Sequence, residues 1–443
     1  MNAQKANNTT EKVQQLQRKL YLSAKRSSKR KFHVLYDKLT REDILWEAWR
    51  RVKTKGGVGG IDGISLQDIE TYGVEKMLAE IRQDLQIGSY RPKPVRRVYI
   101  PKADGTKRPL GIPVIKDRIV QMAAKLVTEP IFEADFKESS YGFRPKKNSR
   151  QALETVQKAC MDQGWWVVEA DIQGYFDHIN HEKLMQLVEM RINDRRVLKL
   201  IRQWLKAGVM YEGKLESSQT GSPQGGVISP LLANIYLNYL DVIWEKNGQA
   251  IGKLVRYADD FVIICRTKRD AEHALKLVKA IMQRLELTLH PEKTKVVSMW
   301  KGQGGFDFLG MHHRNIVHEN GTRKYQTTYQ YPSKKAMKKM RGIVKAELAN
   351  PATLQRDIQE MIEKLNPKIR GWRNYYQTKN SWKWLAAIDW YILQRFTIWY
   401  NKKHQRRAHF GRMGKVLQLL NILGLEKLAG RTNAEGEECR KAG

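Results

Sequence analysis

"LVRYADDFVIIC", residues 254–265, sets two adjacent carboxylates, Asp259 and Asp260, inside an otherwise apolar run. Charges taken out of water without partners are costly, so such a pair calls for a reason. A short run rich in Val, Ile and Phe reads as a strand or tight hairpin. Carboxylates held there suit a hard divalent ion such as Mg2+, which takes oxygen ligands and keeps positions open for substrate phosphates. Paired ions roughly 3.5–4 Å apart stabilise both the attacking and the leaving oxygen of phosphoryl transfer. That chemistry needs another carboxylate, and Asp171, near the end of the apolar run "WWVVEADIQGYF" (165–176), is the candidate. Two strands that each end in Asp can lie side by side with their carboxylates converging. The glycine-rich "GSPQGGVISP" (221–230) lies between them in sequence.

Outward from these strands, the N-terminal 31 residues are polar and end in "AKRSSKRK", which predicts a flexible or weakly helical basic arm. "FHVLYDKLTREDILWEAWRRV" (32–52) has helical apolar spacing, with Thr40 as the expected cap. "KTKGGVGGIDG" (53–63) is a break, and "SLQDIETYGVEKMLAEIRQDL" (65–85) is helical. "RRVYIPK" and "KRPLGIP" read as strands around a turn at Asp104-Gly105. "DRIVQMAAKLVTEPIF", "HEKLMQLVEMRI" and "RDAEHALKLVKAIMQRLEL" are helical, and "KTKVVSMW" is a further strand. From about residue 333 the pattern turns all-helical. Strands and helices alternate without a period, so the fold class is α/β or α+β.

The 443 residues suffice for two or three domains. Their 80 Lys and Arg against 46 Asp and Glu leave a net charge of +34, which suits a polyanionic partner. The excess sits at the ends: +10 over residues 1–55 and +15 over 331–443. Three cysteines in no paired pattern (Cys160, Cys265, Cys439) point to a reducing compartment without a disulfide framework. No apolar run reaches the roughly 18 residues of a membrane span, and the N-terminus does not read as a secretion signal. His178 and His181 lack further ligands in pattern and read as structural. His312 and His313 point to opposite faces if they lie on a strand, which disfavours joint metal binding. "GWRNYYQTKNSWKWLAAIDWYILQRFTIWYNKKHQRR" (371–407) interleaves five of the twelve tryptophans with basic residues. That pattern predicts aromatics mostly inside a bundle and cations on an RNA-facing side.

The chain resembles the bacterial group II intron-encoded reverse transcriptases and maturases. "RYADDF" is similar to the family's Tyr-Ala-Asp-Asp hairpin, "EADIQGYFDHINHEKL" to its first-aspartate motif and "TGSPQGGVISPLLANIYLNYLD" to its template and nucleotide-binding motif. "KADGTKRPLGIPVIKDRIVQMA", "SYGFRPKKNSRQAL" and "LHPEKTKV…FDFLG" resemble the remaining polymerase blocks in the same order. "GGIDG" resembles the extra N-terminal motif of non-retroviral members, and "LNPKIRGWRNYY" the start of the maturase-specific region. The resemblance covers roughly residues 33–430, and six ordered blocks are far more specific than one short motif.

The resemblance implies a right-hand polymerase. Its parts would be a basic N-terminal extension (1–55), fingers (56–164), a palm with an antiparallel sheet, helices and the catalytic aspartates (165–330), a helical thumb and maturase region (331–430), and a polar tail (431–443). It implies catalysis and Mg2+ binding by Asp171, Asp259 and Asp260. Lys102 and Arg108 would contact triphosphate oxygens, Gln224 would lie near the incoming nucleotide, and Phe176 would exclude a 2′-hydroxyl. Without the resemblance, Phe176 reads as core packing and the two cations as a solvated face. The implied partners are group II intron RNA, an RNA template with a DNA primer, dNTPs and target DNA, with no membrane. The implied location is the bacterial cytoplasm, at the nucleoid. The implied activity is RNA-directed DNA polymerisation coupled to splicing and retrohoming of the intron. The alternatives are a splicing cofactor with a vestigial polymerase site and a domesticated or defence-associated reverse transcriptase. No His and Cys cluster of an HNH endonuclease is present, so an endonuclease-lacking member is expected.

Overall fold

The computed structural model describes residues 3–101, 105, 107–162, 164–211, 214–216, 225–320, 323–407 and 410–429. The chain forms two compact units, one of residues 1–149, 170–263 and 272–295, the other of residues 150–169, 264–271 and 296–443.

The first unit opens with helices α1 (Ala3–Arg26), α2 (Tyr36–Leu39), α3 (Glu42–Lys55), α4 (Leu66–Tyr72) and α5 (Val74–Ile87). Strands β1 (Val95–Pro101) and β2 (Lys107–Ile112) follow, then helix α6 (Ile115–Glu133). The basic arm expected to be flexible or weakly helical is a long helix packed on the unit. Val13, Leu20 and Ala24 recur on one face of α1 and are buried, where the helix lies against α3 and α6. Buried Arg191 donates to the carbonyls of Ala24 and Ser27, 2.9 Å each, at the helix end where carbonyls lack partners of their own. Thr40, expected to start α3, closes α2 through a 2.9 Å bond from its hydroxyl to the Asp37 carbonyl. A reciprocal pair starts α4: the Asp68 N–H donates to Ser65 Oγ (3.2 Å) and the Ser65 N–H to the Asp68 carboxylate (2.8 Å). Helix α6 is buried around most of its circumference and encloses charged and polar residues, Asp117, Arg118, Gln121 and Glu129, along with its apolar ones.

Helix α7 (Ser149–Met161), strand β3 (Trp166–Asp171), helices α8 (His181–Glu189) and α9 (Arg195–Lys206), strands β4 (Val209–Tyr211) and β5 (Lys214–Glu216) and helix α10 (Ser229–Asn247) come next. Strands β6 (Lys253–Tyr257) and β7 (Asp260–Cys265), helix α11 (Lys268–Arg284) and strand β8 (Lys295–Ser298) complete this stretch. One four-stranded sheet runs β2-β1-β4-β5 and another runs β6-β7-β3-β8. In the first sheet β1 and β2 are antiparallel, with Pro101 opposite Lys107, and β1 and β4 are parallel.

In the second unit β9 (Gly305–Phe308), β10 (Met311–Asn320) and β11 (Arg323–Pro332) form a sheet in the order β11-β10-β9. His313 is fully buried against Phe306, while His312 turns the other way to Asp307 (2.6 Å), the opposed faces the sequence predicts. Helices α12 (Lys334–Ala349), α13 (Ile358–Tyr376), α14 (Trp382–Lys403) and α15 (Met413–Ile422) follow. Their core includes Val344, Leu365, Ile369, Ile388, Phe396 and Trp399. The aromatic residues divide: Trp399 is 1% exposed, Trp384 stacks on Tyr331 at 3.6 Å, and Trp382 and Trp390 are exposed. Among the described residues, no helix is long and apolar enough to cross a membrane.

Candidate active site

Strands β6 and β7 are joined by Ala258 and Asp259, with Ala258 in the left-handed region at φ 59°. Holding a non-glycine residue there costs about 1–2 kcal/mol, so the surroundings must enforce it. They do so through Arg256, whose side chain is 0% exposed. Its Nε donates to Asp241 (3.0 Å), its Nη2 pairs with the other Asp241 oxygen, and its Nη1 donates to Asn234 Oδ1 (3.2 Å) and to the Ala258 carbonyl (2.8 Å). Asn234 in turn donates from Nδ2 to the Gly142 carbonyl (2.8 Å). The segment before Gly142 adds to the edge of β6: the Tyr141 N–H bonds the Arg256 carbonyl (2.8 Å) and the Arg256 N–H bonds the Ser139 carbonyl (2.7 Å). Gly142 admits the turn because it lacks a side chain, since a Cβ there would lie 2.3 Å from the Ala258 nitrogen.

Asp171 is the last residue of β3, as its place in the apolar run predicts. The chain at 288–294 wraps it. The His290 N–H donates to the Asp171 carbonyl (2.8 Å), the Gln173 N–H donates to the Thr288 carbonyl (2.9 Å), and Lys293 Nζ meets the Asp171 carboxylate at 2.8 Å. The Asp259 carboxyl is pushed above its ordinary range, first by burial and then by the neighbouring Asp171 charge. A hydrogen bond from its own backbone and the charges of Arg108 and Arg256 oppose that rise. The Asp171 charge thus disfavours ionisation of Asp259, and the Arg108 charge offsets that in part. Asp260, the first residue of β7, is exposed. Among the described residues, no three His, Cys, Asp or Glu side chains gather into a ready-made metal cage.

Arg108 sits on β2 opposite Ile100. Phe176, 8% exposed, lies in a short 3-10 turn and packs edge-on against Tyr175 at 5.3 Å. The Tyr175 hydroxyl anchors that turn by donating to the Ala233 carbonyl (2.6 Å). Gly225 stands at φ 118° against β2, where a Cβ would come within 2.4 Å of the Gly111 oxygen. The Val227 N–H donates to Gln121 Oε1 of α6 (2.9 Å), so Val227 is tied to α6. Lys102 and Gln224 lie outside the described residues. His181 is buried at the start of α8 and His178 bonds the Gly174 carbonyl, so both serve the fold. Sequence reasoning misses Arg256, Asp241, Asn234, Gly142 and Lys293. The signal it could have used is a charged or polar residue, Asp241 or Asn234, on a helix with apolar residues on nearly every face.

Residues 100–313 match the family model described as reverse transcriptase (RNA-dependent DNA polymerase), and residues 334–417 match that of the group II intron maturase-specific domain. Protein YkfC of Escherichia coli K12 is 35% identical over 363 residues, which cover 73% of this chain and 93% of that protein. The group II intron-encoded protein LtrA of Lactococcus lactis is 40% identical over 211 residues, covering 47% of this chain and 35% of LtrA. An uncharacterised 91 kDa protein in the cob intron of Schizosaccharomyces pombe is 27% identical over 433 residues, covering 81% of this chain and 52% of that protein. The chain thus spans most of the first relative but only about a third of the second and half of the third. A polymerase domain followed by a maturase-specific domain, on a right-hand polymerase fold, places the chain in the family of group II intron reverse transcriptases and maturases, RNA-directed DNA polymerases that bind intron RNA and act in its splicing.

Proposed function

We propose that Asp171, Asp259 and Asp260 hold two Mg2+ ions and that this corner extends a DNA primer with dNTPs on an RNA template. The observation that carries the reading is the half-buried Asp259 carboxylate in the turn after β6, which feels the like charge of Asp171, a repulsion that a cation between them would relieve. Carboxylate oxygens are the donor set Mg2+ takes. When bound, the two ions would supply Lewis acidity to the primer hydroxyl and to the leaving oxygens. Asp171 and Asp259 orient that assembly from the ends of adjacent strands. Lys293 holds Asp171 while the corner is open to water. Arg108 offers a fork of donors to triphosphate oxygens, with Lys102 as a point charge. Gln224 and the Gly225 backbone approach the incoming nucleotide, and the Phe176 ring limits room beside its sugar.

In this reading residues 1–55 are a basic extension, 56–164 the fingers, 165–330 the palm and 331–430 the thumb and maturase region. The same protein, bound to its intron, copies the RNA into target DNA and so carries out retrohoming. The test is primer extension on an RNA template by Asp259→Asn, beside an intron-RNA binding assay. Loss of one anionic ligand should lower extension by roughly a thousandfold, about 4 kcal/mol in the barrier, and leave binding intact. Near-normal cDNA synthesis by the mutant would falsify the site assignment. Intron insertion into DNA in cells, compared between wild type and Asp259→Asn, tests the mobility step.

A further inference from the structure

We propose that Arg256 is a positioning residue for catalysis: it fixes the Ala258–Asp259 turn so that the Asp259 carboxylate stands beside Asp171. The inference rests on the assignment of polymerisation to that corner.

A fully buried ion pair is a poor device for stability alone, since apolar residues of similar volume fill such space as well or better. What an apolar residue cannot do is hold a carbonyl. Arg256 uses Nε and Nη2 on Asp241 of α10 and turns Nη1 to the Ala258 carbonyl, one residue before Asp259. The guanidinium is planar and rigid, so the direction of its bond to Ala258 follows from its seat on Asp241. Asn234, about two turns before Asp241 on the same face of α10, shares Nη1 and extends the link to the Gly142 carbonyl. One cation thereby joins α10, the turn and the segment that crosses behind it. The turn needs such a link, because Ala258 sits in a backbone region that non-glycine residues avoid. Freed from Nη1, the Ala258–Asp259 peptide could rotate, and the carboxylate would move with it.

Arg256→Lys keeps the charge opposite Asp241 but replaces the fork with a point donor that cannot serve both partners in one geometry. The experiment measures melting curves, primer extension at varied Mg2+ and at varied primer–template, and intron RNA splicing. The expected result is a folded protein with unchanged splicing and unchanged KM for primer–template. Its kcat should fall at least about tenfold, and half-maximal activity should require several times more Mg2+. A folded Arg256→Lys protein with wild-type kcat and wild-type Mg2+ dependence overturns the inference, as does a loss of activity that merely follows the folded fraction. If the lysine variant does not fold, the neutral pair Arg256→Gln/Asp241→Asn is measured by the same criteria. Failure of both to fold makes Arg256 a support of the whole domain and also overturns the inference. Wild-type extension, and its loss in Asp259→Asn, are run in parallel. Their failure removes the underlying assignment, whereas a normal Arg256→Lys enzyme removes only the positioning role.

Discussion

Arg256 and Arg370 each pair with a carboxylate, yet they belong to different physical regimes. Arg256 is completely enclosed and its partners, Asp241, Asn234 and Ala258, come from a helix and a turn. Arg370, on α13, is 58% exposed and shares the Glu426 carboxylate with Arg373. Around Arg256, water cannot take over a lost partner, so the network specifies one backbone geometry. On the helical bundle, water can, and the apolar core beneath fixes the helices whatever the surface pair does. The contrast teaches that charge in this basic chain has two uses. Enclosed charges set the shape of the aspartate corner, and exposed ones set the field that a polyanion meets.

The sharpest way to break the contrast is to remove Asp241. Asp241→Ala leaves the Arg256 guanidinium enclosed with no counter-charge, which should cost about 3–5 kcal/mol. Since whole domains are stable by only about 5–15 kcal/mol, much of the margin of the first unit would go. Chemical denaturation of the variant beside wild type measures this. A loss no greater than that of a surface pair would show that Arg256 finds water or another partner, contrary to its full burial.

Asp117 on α6 tests the same idea at intermediate strength. It is 2% exposed and accepts bonds from the Tyr90 hydroxyl (2.7 Å) and the Lys93 N–H (2.9 Å), with no side-chain cation bonded to it among the described residues. Burial pushes its carboxyl up to about 6, against those two bonds, which pull it down. The folded pKa thus lies above the unfolded one. The associated stability is fully present below the ordinary carboxyl range and is lost as pH rises through about 6. Asp117→Asn cannot ionise. The stability difference between variant and wild type should therefore move in favour of Asn between about pH 4 and about pH 7.5, by up to about 3 kcal/mol. Denaturation at both pH values reads it directly. A difference that stays constant across that window means the Asp117 environment does not oppose ionisation.

What the sequence shows of this molecule follows from how local each constraint is. Asp171 and Asp259 are legible because an acid among β-branched and aromatic neighbours is conspicuous within a dozen residues. The bundle is legible because apolar residues recur at helical spacing from Met337 to Leu420. Arg256 is not legible as a buried residue, because its partners lie 15 and 22 residues earlier on a helix. The β10–β11 hairpin hides for another reason. His313, Asn315, Thr328 and Gln330 are its buried face, so the usual alternation of apolar and polar residues is missing. The N-terminal helix misleads because three small inward-facing contacts are outnumbered by exposed cations such as Lys12, Arg18 and Lys19.

The smallest expected effect concerns the cations of the bundle, and it decides what they are for. The sequence places Arg370 and Arg373 in "KIRGWRNYY" as candidates for gripping intron RNA, provided they face outward. In the structure both turn to Glu426: Arg370 Nε at 2.9 Å, Arg373 Nη2 at 2.9 Å, with Arg373 also donating to the Lys427 carbonyl at 2.9 Å. Arg370 in turn, more than Arg373, holds the Glu426 carboxyl below its usual range. Mutating either arginine confounds loss of an RNA contact with loss of an internal bond. Glu426→Ala separates them, since it removes the internal partner and leaves both guanidinium groups charged. If their work is to join α13 to the segment around 426, the melting temperature should fall by a small amount and RNA affinity should keep its salt dependence. If their work is to bind phosphates, releasing them should tighten intron binding and steepen the plot of log affinity against log salt by about one or two. Arg373 is only 18% exposed and bonds a backbone carbonyl as well, which favours the first outcome. A steeper plot with an unchanged melting temperature would reverse that assignment and put Arg370 and Arg373 among the RNA contacts.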